Sequence, residues 1–439
     1  MTVPNKKMAI FSRRTIQTFL NSNRKCFDDE SVESHVKRLN REDTTSLHAE
    51  WEVAIIYCLS KVGLVEHEIN LGGSSNLDLF FKSDDIEFVA DISTVSDKYQ
   101  EKNNNYDAFV SAVRDAAVKI GLDSIGGIHF DVKGKDIGKY PKKKVSLRLP
   151  KRNEYHHFID THIKQFLINI RTSPDQKHCT STSEGEISIN LSYDPSKKRY
   201  VSGNYPSCTA VYAIQNNPLY NRLKRKATQI KKSGYVGIKG IVLCDGSCDV
   251  FRTEYSCPNH SARDIVEHFI QKNTSIDFIL LIHVKEDKKS SELRYTRKVV
   301  SSPYFNQSVN DEIKHALYNA FNVGISHLPS PIRTAQNAIN VLEQKGKGSL
   351  PWDTFYGGCT MGSNSVEFSL RTLLDLLAGN LSSDEFTSNH KELAKLFQQK
   401  LLLGQLPNSI EVEHKADLDD DWVRFSFKSK KDPAISSFV

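Results

Sequence analysis

The chain has 439 residues, enough for two or three domains, each with a core of its own. Hydrophobic residues make up 38% of it, and no apolar run approaches the roughly 20 residues that cross a bilayer, which excludes a membrane-spanning reading. Lys and Arg number 59 against 53 Asp and Glu, a formal net charge of +6, and eight cysteines are scattered along the chain, as expected in a reducing cytoplasm rather than in a disulfide scaffold.

Residues 1–46 are polar and charged with weak helical periodicity, and read as a small, loosely packed arm. No long apolar segment follows the basic start Met1–Arg14, so a secretory signal is not expected. Leu47–Val62 is the first strong helix, with Ser46 as N-cap, apolar residues at three- and four-residue spacing (Ala49, Val53, Ile56, Leu59, Val62) and Gly63 as its stop. Val65–Leu71 reads as a strand and Gly72–Ser75 as a loop. Asn76–Thr94 then has the pattern of a hairpin, two short apolar arms joined by the polar turn Lys-Ser-Asp-Asp.

Each arm carries one acid in an apolar setting, Asp78 between Leu77 and Leu79, and Asp91 between Ala90 and Ile92. Buried carboxylates are costly unless paired or bound to a cation, so two on neighbouring strands suit a divalent-cation site. The alternative is that both acids are solvated at strand ends.

Tyr106–Ile120 reads as a helix, Gly127–Val132 and Val145–Leu149 as strands, Asn153–Ile170 as a helix, and Glu186–Tyr193 and Thr209–Ile214 as strands. Pro218 starts a helix that runs to Lys232. Gly237–Leu243 is a near-continuous apolar strand, followed by a helix at Ala262–Lys272, a strand at Phe278–Val284 and a helix at Asp311–Phe321. Pro329, Pro331 and the Gly-Lys-Gly at 346–348 mark a boundary. Beyond it lie helices at Val366–Leu377 and Ser383–Leu403 and strands at Ser409–Glu413 and Trp422–Lys428. The acidic run Asp417–Asp421 reads as a solvated turn. Basic clusters at Lys139–Arg152 and Arg222–Lys232 suit a polyanion such as nucleic acid, or else form solvated faces.

A helix acid, an Asp on one strand and an Asp-x-Ser on the next resemble the PD-(D/E)XK, or restriction-endonuclease-like, nuclease superfamily. The resemblance covers about residues 50–94 and, less fully, 218–243. It implies an α/β fold with a mixed central sheet flanked by helices, a large α+β insertion at about 95–217 within a nuclease domain spanning 47–328, and a C-terminal α+β, mainly helical, region at 329–439. It implies Mg2+, replaceable by Mn2+, held by Asp78 and Asp91 with Glu52 as the helix acid and Glu50 as a weaker candidate. The family's lysine position holds Ser93, which offers no ammonium. Family members exist whose lysine has moved to a later helix, sometimes with a glutamine. Lys226 and Gln229 are three residues apart on the Pro218–Lys232 helix and match that arrangement.

The function so implied is metal-dependent phosphodiester hydrolysis, on DNA in the first instance, with a role in bacterial restriction or anti-phage defence. The alternative is an inactive nuclease-fold subunit that binds nucleic acid or a partner protein. A homo-oligomer is compatible with either, and the expected location is the cytoplasm. Cys244, Cys248, Cys257 and His260 offer four zinc-type ligands within seventeen residues, but their spacing is irregular and a packed free cysteine is the simpler account of Cys244.

Overall fold

Leu79 and Phe81 on one arm, and Phe88, Ala90 and Ile92 on the other, give the hairpin a wholly buried apolar face. The structure, a computed structural model, describes residues 10–436 apart from 42–43, 70–75, 97–104, 123, 140–143, 198–200, 207–210, 212, 216, 247, 252–259, 289–294, 333–358, 363 and 417. The chain opens with α1 (Arg13–Asn23), α2 (Asp29–Leu39) and α3 (Thr44–Leu59), then β1 (Leu64–Ile69) and the hairpin β2 (Leu77–Lys82) and β3 (Glu87–Val95).

The described part of the arm, residues 10–41, is helical but not loosely packed. Phe11, Phe19 and Leu20 are buried against α3 in the main core, and Phe11 and Phe19 meet edge to face. Their spacing was obscured by the charged residues on the outer side of the same helices. α3 begins at Thr44, so Ser46 is a buried helical residue rather than a cap. Trp51, Val53, Ala54, Ile55 and Ile56 are all buried, and the helix is enclosed on every side.

After β3 come α4 (Tyr106–Lys119), β4 (Ile128–Val132), β5 (Gly134–Ile137) and β6 (Lys144–Leu147). The helical stretch α5 follows as Tyr155–Phe158, a π-helical turn at Ile159–Ile163 and Lys164–Thr172. β7 (His178–Glu184), β8 (Ile187–Tyr193) and β9 (Ser202–Asn204) complete a sheet ordered β7-β8-β4-β9. This segment has a core of its own, built from Phe109, Val113, Phe130, Phe158, Leu167 and Leu191. The strand expected at Thr209–Ile214 falls partly outside the described residues, and Val211 is not in a strand.

The chain then returns to the first sheet through α6 (Pro218–Lys232), β10 (Ile238–Asp245), α7 (Ala262–Lys272), β11 (Phe278–Lys288), β12 (Tyr295–Phe305) and α8 (Asp311–Ser326). The sheet order is β1-β2-β3-β10-β11-β12, with β3, β10 and β11 parallel and the remaining pairs antiparallel. Helices cover both faces. Phe19, Ile56, Phe88 and Phe321 share one core with α1, α3 and α8, while Val89, Leu223, Ile241, Ile265 and Phe269 share the other with α6 and α7. The molecule is therefore mixed α/β, with a multi-strand mixed sheet between helical layers.

The C-terminal part comprises β13 (Cys359–Met361), β14 (Ser365–Ser369), α9 (Leu370–Leu377), α10 (Ser383–Asn389), α11 (Lys391–Leu402), β15 (Pro407–Glu413) and β16 (Trp422–Phe427). Its sheet is ordered β13-β14-β16-β15, and with three helices beside it the described part of this region is α+β. Val366–Ser369 is strand, not the helix start expected. Val366 and Phe368 alternate into the core, and Ser369 caps α9 by accepting from Thr372 N–H.

The acidic run is likewise not a solvated turn. Asp419 and Asp421 are buried, Asp419 accepts from the N–H groups of Arg13 and Arg14 at the start of α1, and Asp421 pairs with the Arg14 guanidinium at 2.6 Å. Among the described residues, no helix is long and apolar enough to cross a membrane.

Candidate metal and acid site

The pleat sets the site. On β3, Val89, Asp91, Ser93 and Val95 alternate with Phe88, Ala90 and Ile92, and the valines belong to the core beneath α6. Asp91 is therefore directed to the α6 side of the sheet, where it is fully buried. Asp78 on β2 is fixed by the β3 backbone, the N–H of Ile92 donating to its Oδ2 at 2.8 Å.

α6 forms because Asn217 caps it, accepting from Tyr220 N–H, with Pro218 in its first turn. Leu219, Leu223, Ala227 and Ile230 make its inner stripe, and Lys226 lies within that stripe, only 7% exposed. Its ammonium reaches across the hairpin, 2.5 Å from Asp91 Oδ1 and 3.5 Å from Asp78 Oδ2. Lys224 and Arg225 point outward instead. Three residues singled out in the sequence thus meet at one point. Ser93, two residues after Asp91, is almost wholly buried on the same strand and contributes no charge.

Burial, and then the adjacent Asp78 carboxylate, push the Asp91 carboxyl up to about 9, against the opposing pull of the Lys226 ammonium. Asp91 Oδ2 has no hydrogen-bond partner. A buried, unpartnered carboxylate oxygen beside a second acid is an electrostatic debt that a hard divalent cation relieves, so Asp78 and Asp91 fit Mg2+.

Gln229 stands at the rim, where its amide donates to the carbonyl of Asn76 at 3.3 Å, a link between α6 and the approach to β2 rather than to the acids. Glu52 is committed elsewhere. Arg38 and His67 occupy its two oxygens at 2.7 and 3.0 Å and His35 stands 3.4 Å away, and none of these bonds joins it to Asp78 or Asp91. Glu50 accepts from the N–H groups of Ile10 and Phe11 and serves to hold the chain before α1.

Sequence reasoning missed His48. It lies one turn before Glu52 on α3, with Nδ1 3.3 Å from Thr94 Oγ1 at the end of β3. Burial lowers its pKa, the negative charges of Glu52 and Asp78 oppose that, and Lys226 adds to the lowering, which places the ring within the electrostatic reach of the acids. The signal was the i, i+4 spacing to the acid already chosen.

No family model, curated protein or solved structure matches this chain. The site therefore stands on its own geometry.

Cys244 and Cys248 are buried, and burial raises the Cys244 thiol well above the usual thiol range. With His260 they form no ligand cluster among the described residues, and Cys257 lies outside those residues.

Proposed function

We propose that this chain is a Mg2+-dependent nuclease on the PD-(D/E)XK plan that hydrolyses phosphodiester bonds in DNA. The observation that carries the reading is the approach of Lys226, from a helix far along the chain, to both Asp78 and Asp91. It supplies the ammonium that Ser93 cannot.

Mg2+ bound at Asp78 and Asp91 would polarise a phosphate and acidify a water. The protein's part is positional and electrostatic. The Ile92 N–H fixes the Asp78 carboxylate, and the surrounding apolar core keeps the Asp91 oxygens from bulk water. The Lys226 ammonium, held between the acids, is in place to offset charge that builds on a phosphate oxygen. His48, an imidazole whose pKa burial lowers below the ordinary histidine value, is a second group able to exchange a proton. Lys224, Arg225, Lys231 and Lys232 line the exposed side of α6, a row of cations suited to backbone phosphates. A part in bacterial restriction or anti-phage defence follows only from the family resemblance.

The second reading is a nuclease-fold subunit that binds nucleic acid without cutting it. Ser93 and the close Lys226–Asp91 pair, which neutralises one acid internally, favour it. Incubation of plasmid and linear DNA with Mg2+ or Mn2+, comparing the native chain with Asp78→Ala and Asp91→Ala, separates the two. Cleavage that both substitutions abolish supports the nuclease. Cleavage equal in all three proteins rejects it, and salt-sensitive binding without cleavage supports the second reading.

A further inference from the structure

A second group of ligating side chains lies away from the acids, where α2, α3 and β1 meet. His35 from α2, Glu52 from α3 and His67 from β1 bring one ligand atom each to within 4.8 Å of one another. Their side chains are 1%, 4% and 1% exposed. His67 Nε2 is 3.0 Å from Glu52 Oε1, and His35 Nε2 is 3.4 Å from the same oxygen.

The tautomer of His35 decides what this arrangement needs. Its Nδ1 lies 2.7 Å from the carbonyl oxygen of Ser31, which can only accept, so Nδ1 carries the hydrogen. Neutral His35 therefore aims the lone pair of Nε2 at a carboxylate oxygen, and Nε2 has no hydrogen-bond partner. Only a positive species between the two makes that approach attractive. A proton on His35 satisfies a single edge of the triangle, whereas a metal ion satisfies every edge at once.

Tetrahedral zinc with ligands at about 2.0–2.1 Å sets those ligands about 3.3 Å apart, and the two distances to Glu52 Oε1, 3.0 and 3.4 Å, match that spacing. Two imidazoles and one carboxylate form a borderline donor set that suits zinc and disfavours Mg2+. His35 already makes the outer contact common in such sites, donating its second ring nitrogen to a carbonyl, and Arg38 holds the other Glu52 oxygen at 2.7 Å. Glu68, next to His67, has φ of 52°, the only positive φ among the described residues other than glycines. The Phe27 ring stacks on His35 at 4.6 Å and closes the pocket.

We infer that His35, Glu52 and His67 supply three ligands to a Zn2+ ion that fastens α2 to α3 and β1, the fourth position being left to a water. The site is separate from the acids of the hairpin and does not rest on the nuclease reading.

The full-length chain, free of any metal-affinity tag, is incubated with Zn2+, desalted and assayed for metal by mass spectrometry. About one zinc per chain is expected, retained in Asp78→Ala and in the double variant Cys244→Ser, Cys248→Ser, and largely lost in His67→Gln. Zinc-edge X-ray absorption of the native protein is expected to show imidazole scattering and no sulfur ligand, a readout that stands even where His67→Gln fails to fold. A chelator is expected to lower Tm by several degrees, with recovery on adding Zn2+ but not Mg2+. Zinc-free native protein after the incubation, sulfur in the zinc shell, or an unchanged zinc content in folded His67→Gln overturns the assignment.

Discussion

Lys226 Nζ lies 2.5 Å from Asp91 Oδ1, although the two residues are 135 positions apart in the chain. The helix that carries the cation packs on the sheet that carries the acid, with Leu223 and Ala227 of α6 in the same core as Val89 and Val95 of β3. Their meeting is a product of that packing rather than of local sequence.

Replacing Lys226 by Met keeps most of the buried volume and removes the charge. DNA cleavage is expected to fall by about a hundredfold or more, as when one preorganised electrostatic donor is lost. Stability should change little, because Asp91, already pushed up to about 9, can keep its proton once the ammonium is gone. Turnover and thermal melting measured on the same preparation check this, and unaltered turnover removes Lys226 from the site.

His48→Gln keeps a side chain able to hydrogen-bond Thr94 but takes away the titrating group. The expected result is slower cleavage together with loss of the limb of the pH–rate profile that falls below the normal imidazole range. His48 has a lowered pKa, so that limb belongs on the acid side of the ordinary histidine value. A profile of unchanged shape would show that His48 carries no proton in the reaction.

The Arg14–Asp421 pair ties the C-terminal sheet to α1. Hydrogen bonding from Arg14, ahead of the opposing effect of burial, holds Asp421 below the usual carboxylate range. A depressed folded pKa means that the stabilisation is fully present above the unfolded value of about 4 and is lost as pH falls through the folded one. Arg14 is 44% exposed, so solvent screening limits the effect to about 1 kcal/mol. Asp421→Asn should therefore lower Tm slightly at pH 7 and leave it unaltered in strong acid. Differential scanning calorimetry across that range measures it, and an equal loss at both ends contradicts the pairing.

Gly240 on β10 is packed under the Phe278 ring, which a Cβ would meet at 2.0 Å. Gly240→Ala is expected to cost about 1–3 kcal/mol through overpacking at the centre of the sheet. Denaturant unfolding checks this, and a stability equal to the native chain's would mean that the ring has room to move.

Much of this architecture was legible where one element's own pattern decided its fate. The Asn76–Thr94 hairpin, the Pro218–Lys232 helix and the Ala262–Lys272 helix carry their caps and stripes within themselves, and the structure has them at or within a residue or two of the expected bounds. Lys226 was separable from Lys224 for the same reason, since only Lys226 falls in the apolar stripe.

What failed to show depends on partners far away. Glu52 reads as an inward acid, but whether it faces Asp78 or a pair of histidines is settled by α2 and β1, not by α3. Asp419 reads as solvated until the start of α1 is set against it, 406 residues earlier in the chain. β12 escaped notice because it closes the sheet at its edge and so needs no continuous apolar run.

The segment at 106–204, with a core of its own, separates the acid hairpin from α6 along the chain, though the two meet in the fold. A chain growing from the ribosome exposes Asp78 and Asp91 well over a hundred residues before Lys226 emerges, and α6 can seat only after the intervening unit has brought its ends together. The incomplete chain thus holds two acids without their ammonium partner. Synthesis itself keeps the site unassembled until the last of its three charges is in place.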